Sequence, residues 1–448
     1  MTRPTWIAPD SPSYDAARAS WNLTIQHQPA WVVQAEQEAD VIAAVRYAAE
    51  NRLPLVVQTT GHGNPRCAEG GVLLAMSRLN RIHVDPTSHT ATVQGGATFD
   101  QVIAATHPHG LAPVSGSSPG VGVSGYLLGG GFSLMSRKYG LAVDNVRSFR
   151  LVTAAGEALT VSRHENPDLF WALRGGGGAF GVVTEMVLDL KPVPEVFGGS
   201  IILPIEGADD LAGVYGEWAA TAPDEITSSF ILMHFPPAPF VPEPLRGKSA
   251  AIAYAMAVGD LDAGAAALAP LRNTPGVWID TFRRMPYTEY GQVANDPVDP
   301  LPAVGNGVQL ADTTPSTLKR LRQAMGPMDA SPNLRLEVRQ LGGAIGKVSA
   351  NDAPVSHARQ AAGIAYLLGA VMGPATPGAM NQQARDVFAA IQDVVVSPGP
   401  LNWVGEAHVD GDKVRSVYRS ADFERLLAIK QEWDPHNLFS KAGVGLCI

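Results

Sequence analysis

Apolar positions along this chain recur with two periods. Over residues 39–49 they return every three or four places, with Val41, Ile42, Val45 and Ala48 on one side, which predicts an amphipathic helix. Residues 52–57 are a short apolar run that predicts a strand leading into a glycine turn. Further strands are predicted over 71–76, over 146–153, 183–190 and 200–203, and as a strand-turn-strand unit at Ile82-His83-Val84-Asp85 and 90–94. Residues 99–106 and 167–174 read as short helices. Helix and strand alternate without a fixed repeat, which excludes a solenoid. Lys191-Pro192-Val193-Pro194 marks a boundary, because successive X-Pro units are extended and stop an element. Beyond it the chain is richer in Ala, Pro and Met. Leu334-Arg335-Leu336-Glu337-Val338-Arg339 alternates strictly, so Arg335, Glu337 and Arg339 share one strand face. On pattern alone this is equally an ordinary half-buried strand with a solvated charged face.

Composition narrows the class. With 448 residues, 46% apolar and 17% charged, the chain is a globular protein with room for two or three domains. No apolar run reaches the length of about 18 residues expected of a membrane span. Met1-Thr2-Arg3-Pro4-Thr5-Trp6 does not read as a secretory signal. A net charge of −9 without a basic block argues against nucleic acid and anionic membranes as partners. The two cysteines, Cys67 and Cys447, are spaced neither as metal ligands nor as a disulfide framework. A reducing cytoplasm and no metal site are expected.

Glycine-rich stretches carry the chemistry. Gly61-His62-Gly63-Asn64-Pro65 follows the strand of 52–57, bringing backbone and one imidazole near a ligand; alone, such a histidine is more often a hydrogen-bonding loop residue than a catalytic group. Two literal motifs mislead. Gly176-x-Gly178-x-x-Gly181 matches a dinucleotide fingerprint, but its helix precedes the glycines and its strand follows, the reverse of the order that aims a helix N-terminus at a pyrophosphate. Gly116-x-Ser118-x-Gly120 matches a nucleophile elbow, yet the next residue, Pro119, has no N–H for an oxyanion.

Taken in order, the His62 turn, Gly116-Ser117-Ser118-Pro119-Gly120-Val121-Gly122-Val123-Ser124-Gly125, Gly129-Gly130-Gly131, Asn166-Pro167-Asp168-Leu169-Phe170-Trp171 and the closing Asp434-Pro435-His436-Asn437-Leu438-Phe439 closely resemble the berberine-bridge-enzyme-like FAD-linked oxidoreductases. These have the vanillyl-alcohol-oxidase, PCMH-type FAD-binding fold, and nicotine-oxidising bacterial members look among the nearer. The resemblance covers about residues 30–195 and 330–448. It implies an α+β fold: an FAD-binding domain over 1–194, a substrate domain over 195–400 with an antiparallel sheet covered by helices, and a segment over 401–448 that returns to the FAD domain.

It also implies a covalent bond from His62 to the flavin 8α-methyl. Thr59, Thr60, Gly61, Gly63 and Asn64 would lie along the pyrophosphate. Ser117, Ser118, Gly122, Val123, Gly125 and Tyr126 would pass the isoalloxazine, and Gly178, Gly181 and Val183 the adenosine or ribityl side. Substrate, a small molecule or secondary metabolite with a C–H next to oxygen or nitrogen, would deliver hydride to flavin N5, with O₂ as acceptor and H₂O₂ as product. A dehydrogenase with poor O₂ reactivity, or a redox-linked drug-binding or resistance protein, are the alternatives. A monomer or homodimer is expected.

The chain departs from the family in four places. Gln58-Thr59-Thr60-Gly61-His62 replaces the common Arg-Ser-Gly-Gly-His. Ser118 stands where many relatives have the cysteine of a second, 6-S-cysteinyl link, so a single link is expected. Asn402-Trp403 replaces Asn-Tyr, and an indole cannot act as the base that tyrosine supplies in several members. Ala442-Gly443-Val444 replaces a polar Asn-x-Asn. The strand of Arg335, Glu337 and Arg339 borders the active site in the nicotine-oxidising members. Glu337 would therefore orient substrate or accept a proton, or the two arginines would bind an acidic or phenolate substrate bidentately. Glu337, Glu406, His357 and Tyr254 are the candidate bases, and Trp403 a stacking surface.

Overall fold

In the computed structural model, residues 4–63, 67–239, 241–372, 375–405 and 411–440 are described. The N-terminal part opens with a four-stranded sheet in the order Thr5–Ile7, Trp31–Gln34, Val72–Ala75, Leu55–Gln58, the last three parallel. Glu38–Glu50 is the predicted helix. Its stripe of Val41, Ala44, Val45 and Ala48 is buried, and Asp40 accepts the N–H groups of Glu36 and Gln37 at its start. The strand after it begins at Leu55, not at 52. Arg52 is in the left-handed region and Pro54 follows it, so these residues are the turn out of the helix.

A second sheet is antiparallel, in the order Ile82–Asp85, Thr90–Gln94, Val182–Asp189, Val146–Val152, Ala158–Ser162. Phe149, Leu151, Met186 and Leu188 pack with Val123, Leu127 and Phe132 of the glycine-rich segment and with Phe170 and Leu173 of helix Pro167–Leu173.

The third sheet lies within 195–398 and has nine strands, every pairing antiparallel. Its first strand, Glu195–Pro204, starts directly after the Pro-rich boundary. The centre runs Ser249–Ala257, Ile226–His234, Arg335–Gln340, Gly363–Ala370, Ala303–Leu310. One face, with Phe230, Leu232, Leu336, Val338 and Leu367, is covered by helices Ala208–Ala219, Pro315–Met325 and Pro377–Ala389. The other, with Ile231, Tyr254, Met256 and Ile364, joins the core of the glycine-rich half. Arg335–Gln340 is therefore buried on both faces, and its charged side chains are not solvated.

The C-terminal helix Ser420–Trp433 packs on Pro167–Leu173. Leu438 and Phe439 enter the core of the first sheet, where Leu55 N donates to Leu438 O at 3.3 Å. Among the described residues no helix is long and apolar enough to cross a membrane.

Candidate active site

The turn after Leu55–Gln58 is shaped by what surrounds it. Gly61 has φ +77°, and a Cβ there would stand 2.8 Å from Ser20 Cβ and 2.9 Å from Gln58 Oε1, so only glycine fits. Gln58 Oε1 accepts from Ser20 Oγ at 2.6 Å and bonds His27 Nε2 at 2.9 Å, while its Nε2 donates to Ala19 O at 2.8 Å. Gln58, standing where the family has arginine, thus anchors the N-terminal segment. His27 is fully buried, and its Nδ1 accepts from Ala68 N at 3.1 Å, which puts its proton on Nε2. It ties both ends of the turn together.

His62 is half-buried, stacked on Trp21 with ring centroids 4.3 Å apart, and its Nδ1 lies 2.7 Å from Thr60 Oγ1. Burial lowers its pKa to about 4, so the imidazole is neutral at physiological pH. The backbone N–H groups of Thr60, Gly61, His62 and Gly63 donate to no described residue.

The second loop is pressed against this turn. Thr59 Oγ1 and Ser124 Oγ both donate to Gly95 O, at 3.1 and 2.6 Å, and a Cβ on Gly122 would stand 2.7 Å from the Thr59 methyl. Ser117 Oγ donates to Asp296 at 2.7 Å, and Ser118 is half-buried beside it. Val123 is wholly buried, so it offers the cleft backbone only. Tyr126 is buried next to Gly116, and its hydroxyl has no hydrogen-bond partner among the described residues. A Cβ on Gly63, Gly120 or Gly125 would meet no described residue within 4 Å.

The third segment is set further back. Gly178 is half-buried. The open side of Gly181 is filled by Val152 O, 2.7 Å from a Cβ there, and the Val183 side chain lies in the core. Both residues can offer only backbone. Asn64, Glu406 and Ala442-Gly443-Val444 lie outside the described residues.

Across the cleft, Arg335, Glu337 and Arg339 do share one face, facing the glycine-rich half. Arg335 Nη2 donates to Glu337 Oε2 at 2.6 Å. Arg339 Nε and Nη2 donate to Oε1 at 3.0 and 2.9 Å. Tyr254 OH and Ser229 Oγ also donate to Oε1. Burial would raise this carboxyl, but the arginines, with Tyr254 and Ser229, outweigh it and hold it down to about 2. Such a carboxylate is an anchor, not a proton acceptor. The arginines are engaged too. Arg335 Nη1 donates to Asp296 at 2.9 Å, Arg339 Nη1 to Phe132 O at 3.2 Å, and Arg339 Nη2 bonds Tyr254 OH at 2.6 Å. Two guanidiniums face two carboxylates, and neither arginine is free to bind a substrate acid with both its terminal nitrogens.

Trp403 lies over this network. Its ring centroid is 4.5 Å from the Arg339 guanidinium carbon, 5.4 Å from the Tyr366 ring and 5.9 Å from Phe132. Asn402 works behind it: Nδ2 donates to Tyr126 O at 3.1 Å and Oδ1 accepts from Gly131 N at 3.0 Å. Both ends of its amide are thus engaged with the glycine-rich segment. His357 lies apart, lining a small cavity with Gly129, Gly175, Leu401 and Tyr418. Asp296, Ser229, Trp21 and Tyr366 were not visible as site residues in the sequence. One signal did exist for Tyr366: Gly305 and Gly307 alternate on one strand, a pattern that marks a close neighbour. Among the described residues no His, Cys, Asp or Glu cluster could hold a metal ion.

Residues 29–162 match the family described as "FAD binding domain", and 404–442 the family described as "Berberine and berberine like". The chain is 30% identical to (R)-6-hydroxynicotine oxidase of Paenarthrobacter nicotinovorans, over 97% of this chain and 94% of that one. It belongs to the berberine-bridge-enzyme-like FAD-linked oxidoreductases. The crystal structure of 6-hydroxy-D-nicotine oxidase from Arthrobacter nicotinovorans superposes with a TM-score of 0.85 at 25% identity, covering 99% of this chain and 97% of that one. Glucooligosaccharide oxidase from Acremonium strictum, described with a 6-S-cysteinyl, 8α-N1-histidyl FAD, shares the fold at a TM-score of 0.84 and 20% identity, with 99% and 97% covered.

The residues of this berberine-bridge-like chain suit FAD. Unpaired backbone N–H groups in the His62 turn match a pyrophosphate, which backbone donors can solvate without charged side chains. Gly63, Gly120 and Gly125 leave room where the two loops meet. The unpartnered Tyr126 hydroxyl is a buried polar group that a cofactor edge would satisfy.

Proposed function

We propose that this oxidoreductase is an oxidase that carries FAD on a single covalent bond from His62 and oxidises a small molecule at a C–H next to oxygen or nitrogen, with O₂ reduced to H₂O₂. The observation that carries the reading is the His62 imidazole: neutral, stacked on Trp21, and set among unpaired backbone donors. A neutral ring keeps a nucleophilic nitrogen for the link. Ser118 offers a hydroxyl where a thiolate would be needed for a second one. The oxidase names of the two relatives support O₂ as acceptor.

FAD, when bound, supplies the acceptor for the hydride. The protein's part is placement. Residues 1–194 and 401–448 hold the cofactor, and 195–400 present the substrate-facing wall. Glu337 fixes Arg335 and Arg339, and through Arg339 the Trp403 ring. Cys67 and Cys447, two thiols in 448 residues, fit a cytoplasmic protein.

The test is an absorbance spectrum followed by acid precipitation. Flavin colour should stay with the polypeptide, and in His62→Ala it should move to the supernatant. Colour released from the unmutated protein would remove the covalent bond and keep the fold. Photoreduced enzyme mixed with O₂ should reoxidise rapidly, and slow reoxidation would make it a dehydrogenase.

A further inference from the structure

The wall opposite the glycine-rich loops has a recognisable chemistry. Strand register places Met233, Arg335 and Leu368 in one row and Ile231, Glu337 and Tyr366 in the next, on the same face. Ile231, Arg335 and Glu337 are buried, but Met233, Leu368 and Tyr366 are half-buried, as is Trp403 beside them. The accessible surface is therefore apolar and aromatic. Charge is balanced beneath it, since Arg335 and Arg339 face Glu337 and Asp296.

Tyr366 is the exception to this apolar surface. Its ring lies 5.4 Å from Trp403, centroid to centroid, tilted by 37°. Its hydroxyl reaches over Gly305 on the neighbouring strand, where a Cβ would overlap it. That hydroxyl makes no hydrogen bond with any described residue, unlike those of Tyr254, Tyr287 and Tyr290. Burial pushes it up to about 12, so it is a neutral donor at physiological pH. A polar tip on an aromatic wall, held by a glycine and left without a partner, is arranged to meet a ligand.

We propose that Tyr366 is a specificity-determining residue, whose hydroxyl donates to the oxygen attached to the ring of an uncharged phenol or aryl ether lying against Trp403. This rests on the FAD-oxidoreductase reading. Among the described residues a carboxylate would meet engaged guanidiniums and the half-buried Asp296, and an oligosaccharide would find on these two strand rows a single half-buried polar group, Tyr366, where it needs several. A flat apolar ring buries area on Trp403, Leu368 and Met233.

The FAD-loaded protein is titrated with 4-methylphenol, toluene, benzoate and xylobiose, read by the flavin absorbance change and tryptophan quenching. The phenol should bind most tightly. Tyr366→Phe should weaken it about five- to tenfold, the worth of one hydrogen bond, and leave toluene within about twofold. Gly305→Ala, which displaces the hydroxyl, should give the same loss. Equal losses for phenol and toluene would reduce Tyr366 to packing, and tighter binding of benzoate or xylobiose would overturn the substrate class. A protein that takes up no FAD would instead defeat the oxidoreductase reading beneath it.

Discussion

Arg339 lies beneath Trp403, its guanidinium carbon 4.5 Å from the ring centroid, so a cation supports an indole where many relatives of this family carry tyrosine. The contact is worth about 0.5–2 kcal/mol when partly desolvated. Its larger consequence is positional. The guanidinium is fixed by Glu337, Tyr254 and Phe132 O, so the indole rests on a rigid floor.

That floor depends on the Glu337 charge. Glu337→Gln leaves two buried guanidiniums facing Asp296 alone, and the loss in unfolding free energy should be about 3–5 kcal/mol. Urea denaturation of the FAD-loaded protein measures it; a loss below about 1 kcal/mol would mean that the network is not a unit. The pH profile makes a second check. The folded pKa, about 2, lies below the unfolded value, so Glu337 contributes stability that is full above about pH 4.5 and fades as pH falls toward 2. Between pH 4 and 9 the rate profile should then contain no ionisation that Glu337→Gln removes.

Acid should loosen the His62 turn from its base. Burial lowers the pKa of His27, and its Nδ1 must stay unprotonated to accept from Ala68. The unfolded chain takes up this proton near pH 6.5 and the folded protein resists it, so stability falls as pH drops below about 6.5. Thermal midpoints measured from pH 7.5 to 4.5 should show the slope. His27→Gln, which cannot titrate, should make it shallower, the buried His62 supplying a further part of the slope, and an unchanged slope would remove His27 as a source.

The site was legible in the sequence where its chemistry is local. The His62 turn shows itself through adjacent glycines, and Arg335, Glu337 and Arg339 through strict alternation, because a strand period needs only neighbours. What partners those residues was not legible. Asp296 reaches Arg335 from a loop 39 residues away, and Tyr254 reaches Glu337 from a strand 83 residues away. The alternation also left a solvated face open as a reading, since burial of both faces depends on a second layer packed from elsewhere in the chain. Asn402 reads as a site group by position, and Gln58 as a departure from the family's arginine. Both are engaged in holding segments together, a role that only the fold assigns.

Lys430 and Asp434 set the last test, because they join the C-terminal helix to the loop of Gly178 and Gly181. Both side chains are fully buried and paired. Lys430 Nζ donates to Ala179 O at 2.8 Å, and Asp434 accepts from Leu438 N and Phe439 N, each at 2.9 Å. Lys430→Met should cost about 3–5 kcal/mol, since it leaves a buried carboxylate without its cation. Adding Asp434→Asn, which removes that charge but keeps only one of the two oxygens that accept from Leu438 N and Phe439 N, should recover part of this stability. It should not restore the hold on Ala179. In a His62→Ala background, where FAD is held without a covalent bond, the double variant should therefore release FAD faster than Asp434→Asn in the same background, which loses the same acceptor but keeps Lys430 on Ala179 O. Equal release rates would show that the ion pair serves stability only and that the glycine loop keeps its shape without it.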